Sequence, residues 1–283
     1  MRVISIVGKK GGVGKTTSTV HIASRFADLG FKTCIIDFDT TQANATLSTI
    51  GPIWKEEGSP PGICQVIING DPIESVIRET TRKNLYIVPS EKENKKGMPY
   101  NVEVALSQMD GGGYHVLKEC LSESKMHEMF DILLIDNAPS LGVMTINSLN
   151  ASDYSLTPIQ ANDLSISSIE DTVRICKKIE SLNPYLKNLG VFVSLMDKRP
   201  KDSFRAIELA QSIANEEGVY FFDTFIPVSS KFNYLASKQK TIFDITKPSD
   251  RGHKEYIMLV EEVVRRIKEI DAQEDASTQE TRA

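Results

Sequence analysis

The apolar run Val3 to Val7 is followed at once by Lys9-Lys10-Gly11-Gly12-Val13-Gly14-Lys15-Thr16-Thr17. A short buried strand that stops at a glycine-rich turn and restarts as a helix leaves the chain few alternatives. The glycines let the backbone close around an anion, and the helix start directs N–H groups and a lysine ammonium into one space. That combination suits a polyphosphate, so a nucleoside triphosphate is the expected ligand. The standard phosphate-loop pattern asks for glycine five positions before Gly14, where this chain has Lys9, and a further lysine, Lys10, opens the Gly-Gly-Val-Gly turn.

Six more apolar runs follow: Thr33 to Asp37, Leu85 to Val88, Ile132 to Asp136, Tyr154 to Pro158, Leu189 to Leu195 and Tyr220 to Phe225. Their near-continuous apolar character predicts strands buried on both faces, and they alternate with helical patterns. The expected fold is therefore α/β, with a mainly parallel, twisted central sheet flanked by helices on both faces. A first helix is predicted from Thr16 to Leu29, with Ile22, Ala23, Phe26 and Leu29 on one stripe and Gly30 as its stop. A last helix, Lys254 to Ile270, carries Tyr256, Val260, Val263, Val264, Ile267 and Ile270 on one face, which should pack on the sheet. One domain over residues 1–270 accommodates all of this. Residues 271–283 are polar, acidic and poor in apolar groups, and are expected to be disordered. Between residues 51 and 113, Pro60-Pro61-Gly62, Glu91 to Lys96 and Gly111-Gly112-Gly113 mark loops. That region is consistent both with a partner-specific surface and with solvated loops around one or two ordinary helices.

The net charge of −5 argues against nucleic-acid binding through bulk charge, so any such contact requires a local basic patch. Cys34, Cys64, Cys120 and Cys176 lie far apart with no paired spacing, which reads as free thiols in a reducing compartment. No signal peptide precedes the first strand, and no apolar run approaches the ~20 residues of a membrane span. A cytoplasmic location is expected.

Two carboxylate clusters complete the chemistry. Asp37 and Asp39 close the run Ile35-Ile36-Asp37-Phe38-Asp39, and Asp136 closes Phe130 to Ile135. In an open α/β sheet, ligands gather at the carboxyl ends of strands, so these acids should face the triphosphate. A carboxylate there can hold metal-bound water or orient an attacking water.

The loop x-K-G-G-V-G-K-T, with Lys10 and Lys15, resembles the deviant Walker A loop of the ParA/MinD family, and the resemblance runs from Val3 to about Ile270. It implies an ATPase in which Gly11, Gly12, Val13, Gly14, Lys15, Thr16 and Thr17 cradle the phosphates. By the same resemblance Lys10 reaches the phosphates of a partner subunit, Lys15 serves the β- and γ-phosphates, and the Thr16 hydroxyl ligates Mg2+. Asp37 and Asp39 resemble a Walker A′ motif, the first in the metal shell and the second tied to hydrolysis. Asp136 resembles the Walker B carboxylate on Mg2+. Relatives usually continue Asp-Pro-Gln-Gly/Ala-Asn, whereas this chain reads Asp39-Thr40-Thr41-Gln42-Ala43-Asn44, with one residue inserted and no proline. Thr157-Pro158-Ile159-Gln160, the segment Ser194 to Arg199 and Phe225-Ile226-Pro227 resemble later strand ends of the family, which assigns the adenine to Asp197, Arg199 and the backbone around Pro227.

The family mechanism is an ATP-sandwich homodimer that binds a matrix and reopens when a partner stimulates hydrolysis. No arginine finger or glutamate base stands out, so slow intrinsic turnover is expected. A MinD-like protein ends in an amphipathic membrane-binding helix, and the tail here has no apolar face. A ParA-like protein binds nonspecific DNA through a basic surface. Here Lys198, Arg199, Lys201, Arg205, Lys231, Lys238, Lys240, Lys247, Arg251 and Lys254 are available, of which Lys198, Arg199, Lys231 and Arg251 are assigned to DNA. The expectation is a nucleoid-associated partitioning ATPase with a ParB-like or cargo adaptor, acting on plasmid, chromosome or other cargo. The alternatives are a MinD-like positioning ATPase and a P-loop ATP-dependent small-molecule synthetase. Iron-protein cluster cysteines and a C-terminal tyrosine cluster are both missing from the sequence.

Overall fold

The computed structural model describes residues 1–51, 61–91, 100–160, 165–196 and 201–282. Seven strands form one sheet: β1 Arg2–Ile6, β2 Thr33–Phe38, β3 Arg78–Glu79, β4 Leu85–Val88, β5 Ile132–Asn137, β6 Tyr154–Gln160 and β7 Lys187–Ser194. Their spatial order is β3-β4-β2-β5-β1-β6-β7, and every pairing is parallel except β3 with β4. Twelve α-helical segments lie among the described residues: α1 Lys15–Asp28, α2 Asn44–Thr49, α3 Ile63–Asn69, α4 Val102–Gln108, α5 Val116–Ser122, α6 Met126–Met129, α7 Val143–Asn150, α8 Ser165–Ile179, α9 Lys201–Glu216, α10 Ser230–Ala236, α11 Ile242–Ile245 and α12 His253–Arg282.

Side chains alternate across each strand, so the sheet has two apolar faces to cover. Ile4, Ile6, Ile35 and Leu134 pack with Phe26 of α1 and with Tyr256, Val260 and Val263 of α12. Val3, Cys34, Ile36, Leu133 and Ile135 point the other way, onto Ile63 and Ile67 of α3, Leu106 of α4 and Leu117 of α5. The stripe expected on α1 is present as Ile22, Ala23 and Phe26, but Leu29 is exposed because α1 ends at Asp28. Helices α3 and α4, within the 51–113 region, thus cover part of the second face. All four cysteines are free thiols.

The expected strand Tyr220 to Phe225 does not form. The segment runs beside β7 and makes only isolated pairings, Val191 with Phe221 and Met196 with Pro227. A buried carboxylate explains the departure. Glu262 on α12 accepts the N–H of Asp223 at 2.8 Å and of Thr224 at 3.1 Å, diverting the Thr224 donor that would continue the ladder between those of Phe222 and Ile226. The tail also differs from expectation, because α12 continues to Arg282. Asp271 accepts from Arg2 Nη2 at 2.7 Å and from the Tyr154 hydroxyl at 2.6 Å, and Glu274 pairs with Lys187, so the first turn beyond Ile270 is tied to β1, β6 and β7. The two-residue β3 escaped notice because a strand that short carries no periodicity.

Gly190 lets the 220 segment approach β7. Its φ is +130°, and a Cβ there would stand 2.2 Å from the Tyr220 carbonyl oxygen. Gly190→Ala should therefore lose about 3 kcal/mol in chemical denaturation, from strain and a displaced edge together. Wild-type stability would show that the edge moves freely.

Candidate nucleotide site

The phosphate loop occupies the crevice at the carboxyl ends of β1, β2, β5 and β7. Gly12 and Gly14 have φ of +73° and +81°, conformations that glycine supplies at no steric cost. The loop carbonyls are tied back individually. Lys15 Nζ donates to the Lys10 carbonyl at 3.0 Å, Gln160 Nε2 to the Gly12 carbonyl at 3.1 Å, and Ser194 Oγ to the Val13 carbonyl at 2.5 Å. With three acceptors held by their own donors, the free polarity of the turn is that of its N–H groups, together with the positive end of α1.

The adjoining cavity is about 520 Å3 and is lined by the loop residues Gly11, Gly12, Gly14, Lys15, Thr16 and Thr17. Asp39, Gln42, Asn44, Asn137 and Leu195 also line it, as do the Val228 to Ser230 turn and Phe232 and Asn233 of α10. Its size falls within the range of small-molecule sites. A larger hollow of about 870 Å3 opens near the far end of α1, but it carries no comparable chemistry. Arg82 there is spanned by Asp28 at 2.5 Å and by Asp244.

Helix α1 is anchored behind the phosphate loop through His21. His21 bonds through Nδ1 to the Thr17 carbonyl at 2.7 Å, its Nε2 accepts the Ile242 N–H at 3.1 Å, and its ring stacks on Tyr256 at 4.6 Å. Burial pushes its pKa down to about 4, so the ring is neutral and both bonds persist at neutral pH.

The carboxylates divide by environment. Asp136 is fully buried, and its Oδ1 accepts from Thr19 Oγ1 at 3.1 Å. Among the described residues its Oδ2 has no hydrogen-bond partner. Burial raises its pKa, the charge of Asp37 adds to that, and the Thr16 and Thr19 hydroxyls oppose it. A buried carboxylate oxygen without a donor, beside a threonine hydroxyl at the start of the phosphate helix, fits a divalent cation. Asp37, expected in the metal shell, is committed elsewhere. Its Oδ2 accepts from Thr46 N and Thr46 Oγ1, both at 2.7 Å, and its Oδ1 from Asp39 N at 3.3 Å. It fixes α2, and like Asp136 it lies just behind the residues that line the cavity.

Asp39 does line the cavity, and it organises the altered turn that follows it. Its Oδ1 accepts from Thr41 N at 3.2 Å, Thr41 Oγ1 at 2.8 Å and Gln42 N at 3.1 Å. Ala43 then adopts a left-handed φ of +52°, and the inserted residue is absorbed in this turn. Lys15 feels both Asp136 and Asp39, yet burial outweighs them and lowers its pKa.

Among the other expected site residues, Val13 is buried and supplies its carbonyl to Ser194, while Pro227 pairs with Met196 and leaves the cavity wall to Val228. Asp197, Lys198 and Arg199 lie outside the described residues. Lys231 and Arg251 are exposed, and Lys231 sits on α10 between two residues of the cavity wall. Asn137 is a wall residue that no sequence expectation had singled out. Its Nδ2 donates to Ser5 Oγ and to the Ile6 carbonyl, and its buried Oδ1 has no partner.

Residues 1–188, which contain the phosphate loop and both carboxylate clusters, match the AAA domain family AAA_31. The chain belongs to this family. Within it, the protein is a ParA/MinD-type ATPase. It is 28% identical over 270 residues to the chromosome partitioning protein ParA of Myxococcus xanthus, covering 94% of this chain and 88% of that one. It is 29% identical over 265 residues to the sporulation initiation inhibitor protein Soj of Bacillus subtilis, covering 93% and 98%. Among solved structures it resembles cobyrinic acid a,c-diamide synthase from Mycobacterium smegmatis with bound ADP and magnesium. That match has 25% identity and a TM-score of 0.69, covering 84% of this chain and 91% of the synthase. The fold of this ParA/MinD-type ATPase is thus shared with proteins that differ widely in what they act on.

Proposed function

We propose that this ParA/MinD-type ATPase closes into a homodimer around two ATP molecules, binds nonspecific DNA in that state, and partitions plasmid, chromosome or other cargo. The observation that carries this reading is the separation of its two loop lysines. Lys15 lines the cavity of its own subunit. Lys10 does not; its ammonium is held at 3.2 Å by Gln160 Oε1. A cation beside, but not inside, its own phosphate site is placed to serve a facing one.

The loop N–H groups, Lys15 and Thr17 bind the phosphates, and Thr16 with Asp136 would hold Mg2+. When bound, the metal neutralises charge on the phosphate oxygens and positions them for transfer. Asp39 sets the turn that borders the reacting end and presents its carboxylate to the cavity. Among the described residues, no arginine or glutamate lines that cavity. Slow turnover, stimulated by a ParB-like or cargo adaptor, is part of this reading.

Lys231 and Arg251 are the described candidates for DNA contact, with Lys198 and Arg199 completing the set in sequence. Among the described residues, no helix is long and apolar enough to cross a bilayer. Co-sedimentation with DNA or liposomes, with ATP, ADP or no nucleotide, tests this reading. DNA retention with ATP alone is the expected result. Liposome retention would replace it with a MinD-like function.

The likeness to the diamide synthase favours a second reading, ATP-dependent synthesis on a small molecule. It requires ADP release that depends on such a substrate and is indifferent to DNA.

A further inference from the structure

The last residue of β6 makes a contact that phosphate binding alone does not require. Gln160 spans the phosphate loop from outside: its Nε2 donates to the Gly12 carbonyl at 3.1 Å, and its Oε1 accepts from Lys10 Nζ at 3.2 Å. One planar amide therefore joins the backbone of the turn to the side chain that opens it. The neighbouring Lys9 is drawn the same way, its ammonium lying 3.2 Å from Asp171 on α8. Lys9 and Lys10 are thus both held by the β6–α8 side of their own subunit.

The two restraints differ in kind. Lys9 faces a carboxylate, which it has no reason to leave. Lys10 faces a neutral amide oxygen, a charge-assisted bond strong enough to fix the side chain, yet weaker than a contact with a polyanion. Lys10 is also half-buried, so a defined partner in the resting state spares it the cost of an unsatisfied ammonium.

We propose that Gln160 is a positioning residue that latches Lys10 to its own subunit and yields it only when a triphosphate on a second copy of this chain competes for the ammonium. The inference rests on the sandwich reading above and adds to it the group that sets the threshold for closure. A neutral acceptor keeps that threshold moderate. A carboxylate at this position would raise it by making an ion pair, and an alanine would lower it by removing the hold.

The test is the concentration midpoint of dimerisation at saturating ATP and Mg2+, measured by analytical ultracentrifugation for the full chain and for Gln160→Ala and Gln160→Glu. Saturation with nucleotide removes any effect on ATP affinity. The alanine variant should dimerise at about fivefold lower concentration and the glutamate variant at about tenfold higher, with the latter penalty shrinking as salt rises. In a Lys10→Ala background neither change should alter the residual self-association. Damage to the loop would move both variants in the same direction, so shifts of equal sign, no shift, or a shift that survives in Lys10→Ala would overturn the latch. If Lys10→Ala itself dimerised like the wild type, the sandwich reading would fall and the latch with it. If Lys10→Ala lost the dimer while both Gln160 variants were inert, the latch alone would fall.

Discussion

Lys10→Ala is expected to abolish ATP-driven dimerisation while leaving ADP binding to the single subunit within about threefold of wild type. A closed dimer brings two triphosphates toward each other, and unit charges of one sign about 10 Å apart repel by roughly 1.7 kcal/mol at an effective dielectric of about 20. Each facing pair of phosphate charges adds such a cost, so closure without a compensating cation is unfavourable. Lys10 supplies one charge-assisted contact per subunit, two per dimer. At about 1.5 to 3 kcal/mol each, their loss weakens association roughly a hundredfold to ten-thousandfold. Nucleotide binding by the lone subunit is spared because Lys10 does not line the cavity, whereas Lys15 does. Sedimentation with ATP and with ADP separates the two effects. A variant that dimerises normally would leave the second loop lysine without a role and favour a metabolic enzyme on the same fold.

The readable parts of the chain were those whose cause is local. The run Val3 to Thr17 dictates strand, turn and helix through its own glycines and apolar residues, and β2, β4, β5, β6 and β7 announce themselves by near-continuous burial. What escaped depends on groups far away in sequence. The strand expected at Tyr220 to Phe225 is undone by Glu262, 38 to 39 residues downstream, and Asp271 and Glu274 are held by Arg2, Tyr154 and Lys187. The expectation for Asp37 came from its place beside Asp39 at a strand end; that Thr46 gives its Oδ2 both a hydroxyl and an N–H had no sequence signal. The turn after Asp39 was legible in principle. Asp-Thr-Thr is a sequence whose side chains bond their own backbone, and the structure uses it that way. The hold of Gln160 on Lys10 had no sequence signal, because the two lie 150 residues apart and meet only through the pairing of β6 with β1.

Asp136→Asn should remove hydrolysis and, at the same time, make the nucleotide-free protein more stable above neutral pH. The carboxylate is fully buried, and that burial, with the charge of Asp37 adding to it, pushes its pKa up to about 8 from the ordinary acid range. Asp37 is raised as well, by burial first, with the Thr46 bonds opposing and the Asp39 charge adding. The folded protein therefore holds protons that the unfolded chain releases, and unfolding free energy falls as pH rises. The favourable contribution is complete below about pH 4, declines through the interval in which only the unfolded chain is ionised, and is gone once pH passes about 8. An asparagine stays neutral throughout and can still meet the Thr16 and Thr19 hydroxyls. Ligand-free and in chelator, the variant should melt several degrees above wild type at pH 8, at about 2 to 4 °C per kcal/mol, with the gap narrowing toward pH 5. Mg2+ and ATP should then stabilise the wild type much more than the variant, because a carboxylate costly in isolation is the group that welcomes a cation. A variant that melts lower than wild type at pH 8 would show that the buried charge is already compensated within the chain, and would move the metal away from Asp136.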